Sequence, residues 1–348
     1  MNEKKPGGRP WVKILVILAI IIVFLILFDV ELIVEAIRDA NWALLAVAGG
    51  VLLVGYVLMA KRLQHLLSDR CSFSHTFHSQ NVSSLMNLIT FIPVTPIRIF
   101  LLGEDDEVTI PQATSSVSIA IVIDWVMKII AILGAILLTA GSVSIGQFIL
   151  IGVILVAIII GGMLLLVANG DKVVTKSTPL LARLPIISEE QSENLLSGLM
   201  EGLKGVGSVR HLLITYFWTI LAWICGVSFY FLGMLAMGIN LPADLMLAGA
   251  LFAAVVVNPF SPYLPGIYQT LLVAAIYIVV RGDAAFVIQL IAFSFAIYLV
   301  TLVLIFGLGF WGLRGLNLKF SELRDEIAAG IQDINKQRKQ EEVKSEQT

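Results

Sequence analysis

The sequence predicts an all-α polytopic membrane protein in which six full transmembrane helices and two re-entrant half-helix pairs form an inverted repeat. The chain is 58% hydrophobic and only 14% charged, whereas soluble domains carry about a quarter charged residues. The mean hydropathy is +0.93. The apolar residues form blocks of about 18 or more, which is the length that crosses a bilayer core. Lys and Arg concentrate between alternate blocks, as cytoplasmic loops require.

Six of the apolar blocks are predicted to be full spans. Their approximate bounds, in order, are residues 11–28, 42–60, 113–140, 144–168, 211–238 and 284–312. The first block follows a basic N-terminus and resembles a secretory signal, but it is too long and lacks a small-residue cleavage site. We therefore expect it to be retained as the first span.

Two further apolar regions, residues 82–103 and 245–280, are interrupted by helix-breaking residues. The breaking residues are Pro93, Pro96, Pro259, Pro262, Pro265 and Gly266. Proline lacks a backbone donor and clashes with the preceding helical turn. In lipid, the backbone groups freed at such a break must bond to neighbouring protein or water. Each region is therefore predicted to be a re-entrant pair of half-helices that meet at a proline-rich tip.

The positions of Lys and Arg support this topology. When each broken region enters and leaves through one face, both termini, Lys61, Arg62 and the basic segment 169–210 lie in the cytoplasm. This is the side that basic loops prefer. Only Arg38 and Arg281 then lie outside. A single full span in place of the first broken region would put the basic segment outside, so we reject that topology.

The same order of elements occurs twice with opposite orientation, in halves of about residues 11–140 and 144–312. Such inverted repeats place a substrate site near the bilayer midplane and allow alternating access. Residues 1–315 are thus predicted to form a single transmembrane domain. Residues 316–348 are predicted to form a cytoplasmic helix followed by a disordered tail, because the sequence becomes purely polar there.

Three charged residues inside or beside the spans are candidate substrate ligands. Asp124 and Lys128 lie on one helical face and can pair with each other. Charges at membrane depth usually face a cavity or a partner, so they form either a structural ion pair or a contact for a polar substrate or a relayed proton. Arg98 follows the first break. It either binds a phosphate through two hydrogen bonds or extends to the cytoplasmic headgroups.

Uncharged hydrogen-bonding side chains flank both breaks. They are Asn87, Asn258, Tyr263 and Gln269. We expect them to cap the broken helices, where free backbone groups need partners. A groove lined by such groups also suits a lipid headgroup, and the two roles are compatible.

Two other patterns point to chemistry more weakly. Cys71, His75 and His78 have a spacing that can place ligands on one helical face, but a cluster beside a membrane surface is more often solvated, and no metal is predicted. Asp29 and Glu31 are an acidic pair in the first external loop. A polytopic glycosyltransferase acting on a lipid-linked sugar uses such a pair to hold a metal.

The sequence contains no nucleotide-binding loop and no nucleophile elbow. All four histidines lie near span ends, so hydrolase schemes lack a base. We therefore predict no catalytic residues, no cofactor and no enzymatic activity. The net charge of −2 gives no basic footprint for a nucleic-acid partner.

The residues at the first break and in the next span match a known pattern in part. Asn87, Pro93 and Arg98 are similar to an asparagine, proline and arginine motif, with Thr95-Pro96 near the place of its glycine-glutamate pair. Asp124 matches the aspartate of the following span. In these features the chain resembles the transmembrane region of lysylphosphatidylglycerol synthases, a flippase-like family of bacterial and archaeal membrane proteins, over roughly residues 10–315.

The second break is similar to the family's second signature. Pro262 and Gly266 match, while Gln269 stands where the family has glutamate. The resemblance implies translocation of a lipid or a lipid-linked polar group between leaflets. Because acidic groups are replaced at both breaks, we do not expect the family's preference for a cationic headgroup. No aminoacyl-transfer domain follows the last span, so we expect that this chain does not synthesise the lipid.

The leading hypothesis is a flippase-like protein of the cytoplasmic membrane of a bacterium or archaeon, with a membrane lipid or lipid-linked substrate as its partner. One alternative is the glycosyltransferase-like enzyme described above. The other is a structural assembly partner without a cavity. A homo-oligomer or a membrane protein partner is compatible with each of these hypotheses.

Overall fold

The computed structural model describes most of the predicted membrane region. The described residues are 30–90, 92–105, 107–141, 143–168, 209–258, 265–280 and 282–323. Every regular element in them is a helix. The helices are α1 (Val30–Arg38), α2 (Trp42–Leu66), α3 (Phe73–Thr90), α4 (Val94–Gly103), α5 (Ile110–Thr139), α6 (Ile145–Ala168), α7 (Val209–Ala236), α8 (Ala243–Val256), α9 (Ile267–Val279) and α10 (Ala284–Gly315). The predicted first span, residues 11–28, lies outside the described residues.

Four of these helices, α2, α5, α7 and α10, are long and apolar enough to cross a membrane. The shorter apolar helices are α4, α8, α9 and the first part of α6. Large aliphatic and aromatic side chains point outward from α5, α6 and α10, among them Trp125 at 60% exposure and Val303 at 63%. An outward apolar surface of this extent suits lipid rather than water. Five of the six predicted spans fall in the described residues and agree with α2, α5, α6, α7 and α10 within about six residues at each end.

Side-chain caps explain where the long helices begin. The Asn41 side chain accepts the amide of Leu44 at the start of α2. Thr109 and Gln112 form a reciprocal capping box at the start of α5. Asp283 accepts the amide of Phe286 at the start of α10. These caps satisfy amides that have no partner inside the helix.

Both predicted breaks interrupt a helix. In the first region α3 ends at Thr90 and α4 begins at Val94. In the second region α8 ends at Val256 and α9 begins at Ile267. Pro93 is the N-cap of α4, and proline just before or inside the first turn costs no helical hydrogen bond. Pro259 and Pro262 lie outside the described residues.

Helix α3 begins at Phe73, well before the predicted start of the broken region at residue 82. It is a buried polar helix. The polar residues buried along it are Thr76, His78, Ser79, Gln80, Asn81, Ser83 and Ser84. Several of these side chains bond to backbone carbonyls, such as Asn81 to Phe77 at 2.8 Å. The prediction missed this segment because its hydropathy is too low to be read as part of an apolar block.

Glycines of α10 allow α3 to approach closely. A Cβ built on Gly309 would lie 2.5 Å from the Cβ of Leu85, and one on Gly312 would lie 2.8 Å from Val82. Small residues at such spacing are the usual means of close helix packing in membranes. The polar helix α3 is therefore held inside the bundle, against the last span.

Candidate functional site

An ion pair between α2 and α5 lies among the apolar helices. The Arg62 guanidinium donates two hydrogen bonds to the Asp124 carboxylate, Nη1 to Oδ1 at 2.6 Å and Nη2 to Oδ2 at 3.1 Å. The Arg62 side chain is 3% exposed and that of Asp124 is 20% exposed. Trp223 of α7 donates from Nε1 to the same carboxylate at 3.4 Å. The charges are thus paired in the bidentate geometry that arginine favours.

Arg62 is the main correction to the sequence analysis, which assigned it to a solvated cytoplasmic loop. Helix α2 continues past residue 60 to Leu66. Arg62 therefore lies within the helix, and its side chain points into the bundle. A basic residue at the end of an apolar block is typical of a loop, so hydropathy alone did not reveal this burial. The useful signal was Asp124, since a membrane carboxylate requires a positive partner.

The predicted pairing of Asp124 with Lys128 is not formed. The Lys128 ammonium lies over the ring of Trp125, 5.1 Å from its centroid. Trp125 is 60% exposed, so this pair faces the outer surface of the bundle. Lys128 is one helical turn from Asp124, but its side chain extends toward Trp125 at the outer surface instead of toward the Asp124 carboxylate.

Arg98 of α4 lies near the ion pair, so two of the predicted site residues, Arg98 and Asp124, belong to the same region. It lies close enough to Arg62, Asp124 and Tyr56 for their charges to interact. The structure places no hydrogen-bond partner on its Nε atom within the described residues. With two arginines and one carboxylate, the cluster carries a net positive charge of one.

A group of tyrosines continues the polar cluster into the second half of the chain. Tyr56 is fully buried and interacts electrostatically with both Arg98 and Tyr268. The Tyr268 ring packs against that of Tyr298, with centroids 4.7 Å apart. The hydroxyls of Tyr230 and Tyr268 lie 3.5 Å apart. The described polar groups therefore connect α2, α4 and α5 with α7, α9 and α10.

Side chains near the breaks form hydrogen bonds to backbone carbonyls that the interrupted helices leave without partners. Asn87 donates from Nδ2 to the Ile92 carbonyl at 2.6 Å. The Tyr230 hydroxyl donates to the Val257 carbonyl at 2.5 Å, just after the end of α8. These bonds supply what a helix break in an apolar environment requires.

Gln269 makes the corresponding bond at the start of α9. Its Oε1 accepts the amide of Gly266 at 2.6 Å, and Gly266 adopts a φ of 85° that glycine tolerates best. The Gln269 side chain is buried, and its Nε2 has no hydrogen-bond partner within the described residues. Gln269 thus uses its amide oxygen to cap α9, and its buried amide nitrogen remains available as a donor.

The remaining predicted residues lie at the edges of the site. Asn258 follows α8 and is half-buried, Pro96 is exposed in the first turn of α4, and Pro265 is exposed before α9. Tyr263 and Asp29 lie outside the described residues. Glu31, the other acid of the glycosyltransferase alternative, is exposed on α1.

Four residues of the site were not predicted from the sequence: Arg62, Tyr56, Tyr230 and Trp223. The three aromatic residues lie inside apolar spans, where a tyrosine or tryptophan is usually part of the packing. Only the long-range contacts identify them, because Arg62 and Asp124 are 62 positions apart. A polar atom on a buried aromatic ring requires a hydrogen-bond partner. This requirement is the one sequence signal that could have identified the tyrosines and the tryptophan as site residues.

Comparison with known proteins identifies the family. The sequence profile of the lysylphosphatidylglycerol synthase TM region matches residues 11–315, which confirms the resemblance noted at the two breaks. No curated protein and no solved structure matches the chain. The match covers every described helix, including those that carry the polar cluster. The chain is therefore a multi-pass membrane protein that belongs to the family of the lysylphosphatidylglycerol synthase TM region.

Proposed function

We propose that this protein binds the phosphate-bearing headgroup of a lipid or lipid-linked molecule at the Arg62, Arg98 and Asp124 cluster and moves it between leaflets. The observation that carries the proposal is the half-buried guanidinium of Arg98, which has no hydrogen-bond partner on Nε within the described residues. Because Asp124 neutralises Arg62, the cluster has one excess positive charge among the residues that the structure describes. An anionic group is the natural partner of such a site, and arginine binds phosphate bidentately.

The helix contacts support an inverted repeat, which is the architecture that the proposal requires. The two halves are related by the exchange of α2 with α7, α3 with α8, α4 with α9 and α5 with α10. Helix α3 packs on α10 as α8 packs on α5, and α4 contacts α5 as α9 contacts α10. Helices α2 and α7 contact each other, which is compatible with a pseudo-twofold axis passing between them. We propose that α3–α4 and α8–α9 are re-entrant pairs entering from opposite faces.

In this proposal the substrate site lies where the two halves meet. The cluster is formed by α2, α4, α5 and α7, and the tyrosines extend it to α9 and α10. Inverted-repeat transporters place their sites between the repeats, beside broken helices. We further propose that the protein resides in the cytoplasmic membrane with both termini in the cytoplasm. It moves its substrate without a chemical step.

A reconstituted leaflet-transfer assay tests the proposal. The purified protein is placed in vesicles that contain a fluorescent phosphatidylglycerol or phosphatidylcholine, and dithionite reports the analogue that reaches the outer leaflet. We expect the protein to accelerate transfer of the anionic lipid more than that of the zwitterionic lipid. Arg98→Gln should slow it by about tenfold or more, the worth of a charged hydrogen bond.

Arg314→Gln is the matched control, because Arg314 is an exposed arginine at the end of α10 outside the cluster. It removes the same charge and should leave transfer unchanged. A wild-type protein that transfers none of the tested phospholipids or polyprenyl-phosphate lipids would refute the proposal. Equal losses in both variants would exclude the cluster as the site.

A further inference from the structure

We propose that Cys71, His75 and Asp105 form a transition-metal site, best suited to zinc, at one end of the α3–α4 pair. The site is separate from the polar cluster and independent of the proposed lipid function. Its three ligand atoms all lie within 4.8 Å of one another. The sequence spacing grouped Cys71 and His75 with His78, and no metal was predicted, whereas in the structure Asp105 takes the place of His78.

Local structure explains why Cys71 and His75 converge. Ser72 accepts the amide of His75 at 3.1 Å and so caps the start of α3. Cys71 immediately precedes this cap and His75 lies in the first turn, so both side chains lie at the same helix end. His78 lies one turn further along and packs its ring against Trp311.

The third ligand comes from the far end of the helix pair. Asp105 follows the last turn of α4, and its Oδ2 lies 3.5 Å from the Cys71 Sγ and 3.9 Å from the His75 Nδ1. In tetrahedral zinc sites, bond lengths of about 2.0 to 2.3 Å separate ligand atoms by roughly 3.3 to 3.6 Å. The two separations that involve Asp105 approach these values, and all three ligand atoms lie within 4.8 Å of one another, so a side-chain movement of about 1 Å closes the site.

The hydrogen bonding of His75 orients it as a metal ligand. Its Nε2 lies 2.9 Å from the Leu101 carbonyl, in the last turn of α4. A carbonyl can only accept, so Nε2 carries the hydrogen and donates it. The other ring nitrogen, Nδ1, lies on the side of Asp105, where it is placed to act as the ligand atom. Metal-bound histidines characteristically donate their second nitrogen to a carbonyl or carboxylate in this way.

Burial and charge also fit a divalent cation. Cys71 is fully buried, and burial raises the pKa of its thiol to about 11, so a metal must displace the thiol proton to bind. The side chains of His75 and Asp105 are 21% and 19% exposed, which leaves an entry path and room for a water as fourth ligand. Thiolate and carboxylate together neutralise a divalent ion.

A bound metal would join three segments: the loop after α2, the start of α3 and the loop after α4. These segments include both outer ends of the broken helix pair. The site would therefore fix α3 and α4 against each other at the end opposite the proline break.

Cobalt substitution tests the site in the purified full-length protein. Co²⁺ bound by a thiolate gives a near-ultraviolet charge-transfer band, and zinc added afterwards should abolish it. We expect a single equivalent per chain, loss of the band in Cys71→Ser and retention of the band in Cys225→Ser. Cys225 is the other cysteine of the chain, on α7, so it is the matched control.

A second variant keeps the test decisive if Cys71→Ser does not fold. Asp105→Asn preserves the size of a partly exposed side chain and should weaken Co²⁺ binding by about tenfold or more. Asp69→Asn, an exposed neighbour, should bind as the wild type does. The proposal is overturned when wild type shows no charge-transfer band, when the band survives in Cys71→Ser, or when Asp105→Asn binds normally.

Discussion

Removal of one partner from the Arg62–Asp124 pair should destabilise the protein far more than removal of both. The pair is bidentate, and the Arg62 side chain is only 3% exposed, so Asp124→Leu alone leaves a buried guanidinium without its counter-ion. Breaking a buried pair in this way costs about 3 to 5 kcal/mol. The 20% exposure of the Asp124 side chain favours the lower end of that range.

The double variant Arg62→Met with Asp124→Leu should recover most of that loss. Apolar side chains of similar volume often replace a buried ion pair at little or no cost. Thermal unfolding in detergent, followed by tryptophan fluorescence, measures the difference. A loss of about 3 kcal/mol corresponds to a midpoint lowered by roughly 4 to 5 °C for a domain of this size. Arg314→Met, an exposed arginine, should shift the midpoint by little.

Two outcomes would refute this reasoning. If each single variant unfolds at the wild-type temperature, Arg62 and Asp124 are not buried against each other. If the double variant loses as much as the two single variants together, the coupling energy is zero and the two residues contribute independently of each other. The relation between single and double variants thus separates a coupled ion pair from two independent residues.

Three further substitutions test the breaks and the helix packing through the same unfolding midpoint. Tyr230→Phe should cost about 1 to 3 kcal/mol, because the buried Val257 carbonyl loses its donor; an unchanged midpoint would show that this carbonyl has another partner. Gln269→Leu should cost about 1 kcal/mol, the usual worth of a helix cap, and no loss would exclude its role at the start of α9. Gly312→Val should cost about 1 to 3 kcal/mol, because the added side chain forces α3 away from α10. Gly307→Ala, on the same helix, should be tolerated because a Cβ there meets nothing within 4 Å. Equal effects of the two substitutions would contradict the close contact of α3 with α10.

The order of the described helices and the two breaks could be predicted from the sequence. Long apolar blocks determine the spans because the bilayer core sets their length, and α5, predicted at 113–140, is observed at Ile110–Thr139. Proline determines the breaks through local backbone chemistry. Both signals are local, and neither requires knowledge of which helices are neighbours.

The partners of the polar residues could not be predicted, because they depend on helix packing. Asp124 had a plausible partner four residues away in Lys128, yet it pairs with Arg62 on another helix. The local spacing rule describes exposed helices in water, whereas in a bundle the choice depends on which face is buried. Asn87 and Gln269 were easier, since their backbone partners lie within five residues.

Under the proposed inverted repeat, the two halves place different chemistry at corresponding positions, and this difference bears on transport. Asp124 and Tyr298 lie at the same distance from the start of α5 and of α10, so the first half carries charges where the second carries phenols. Hydrogen bonds to a charged group are worth about 1.5 to 3 kcal/mol and neutral ones about 0.5 to 1.5 kcal/mol. A headgroup would therefore bind firmly at Arg98 and more weakly beside Tyr268. Passage through a membrane requires sites that bind strongly enough for entry and weakly enough for release. Under the proposed function, the charged half selects the substrate and the tyrosine half lets it leave.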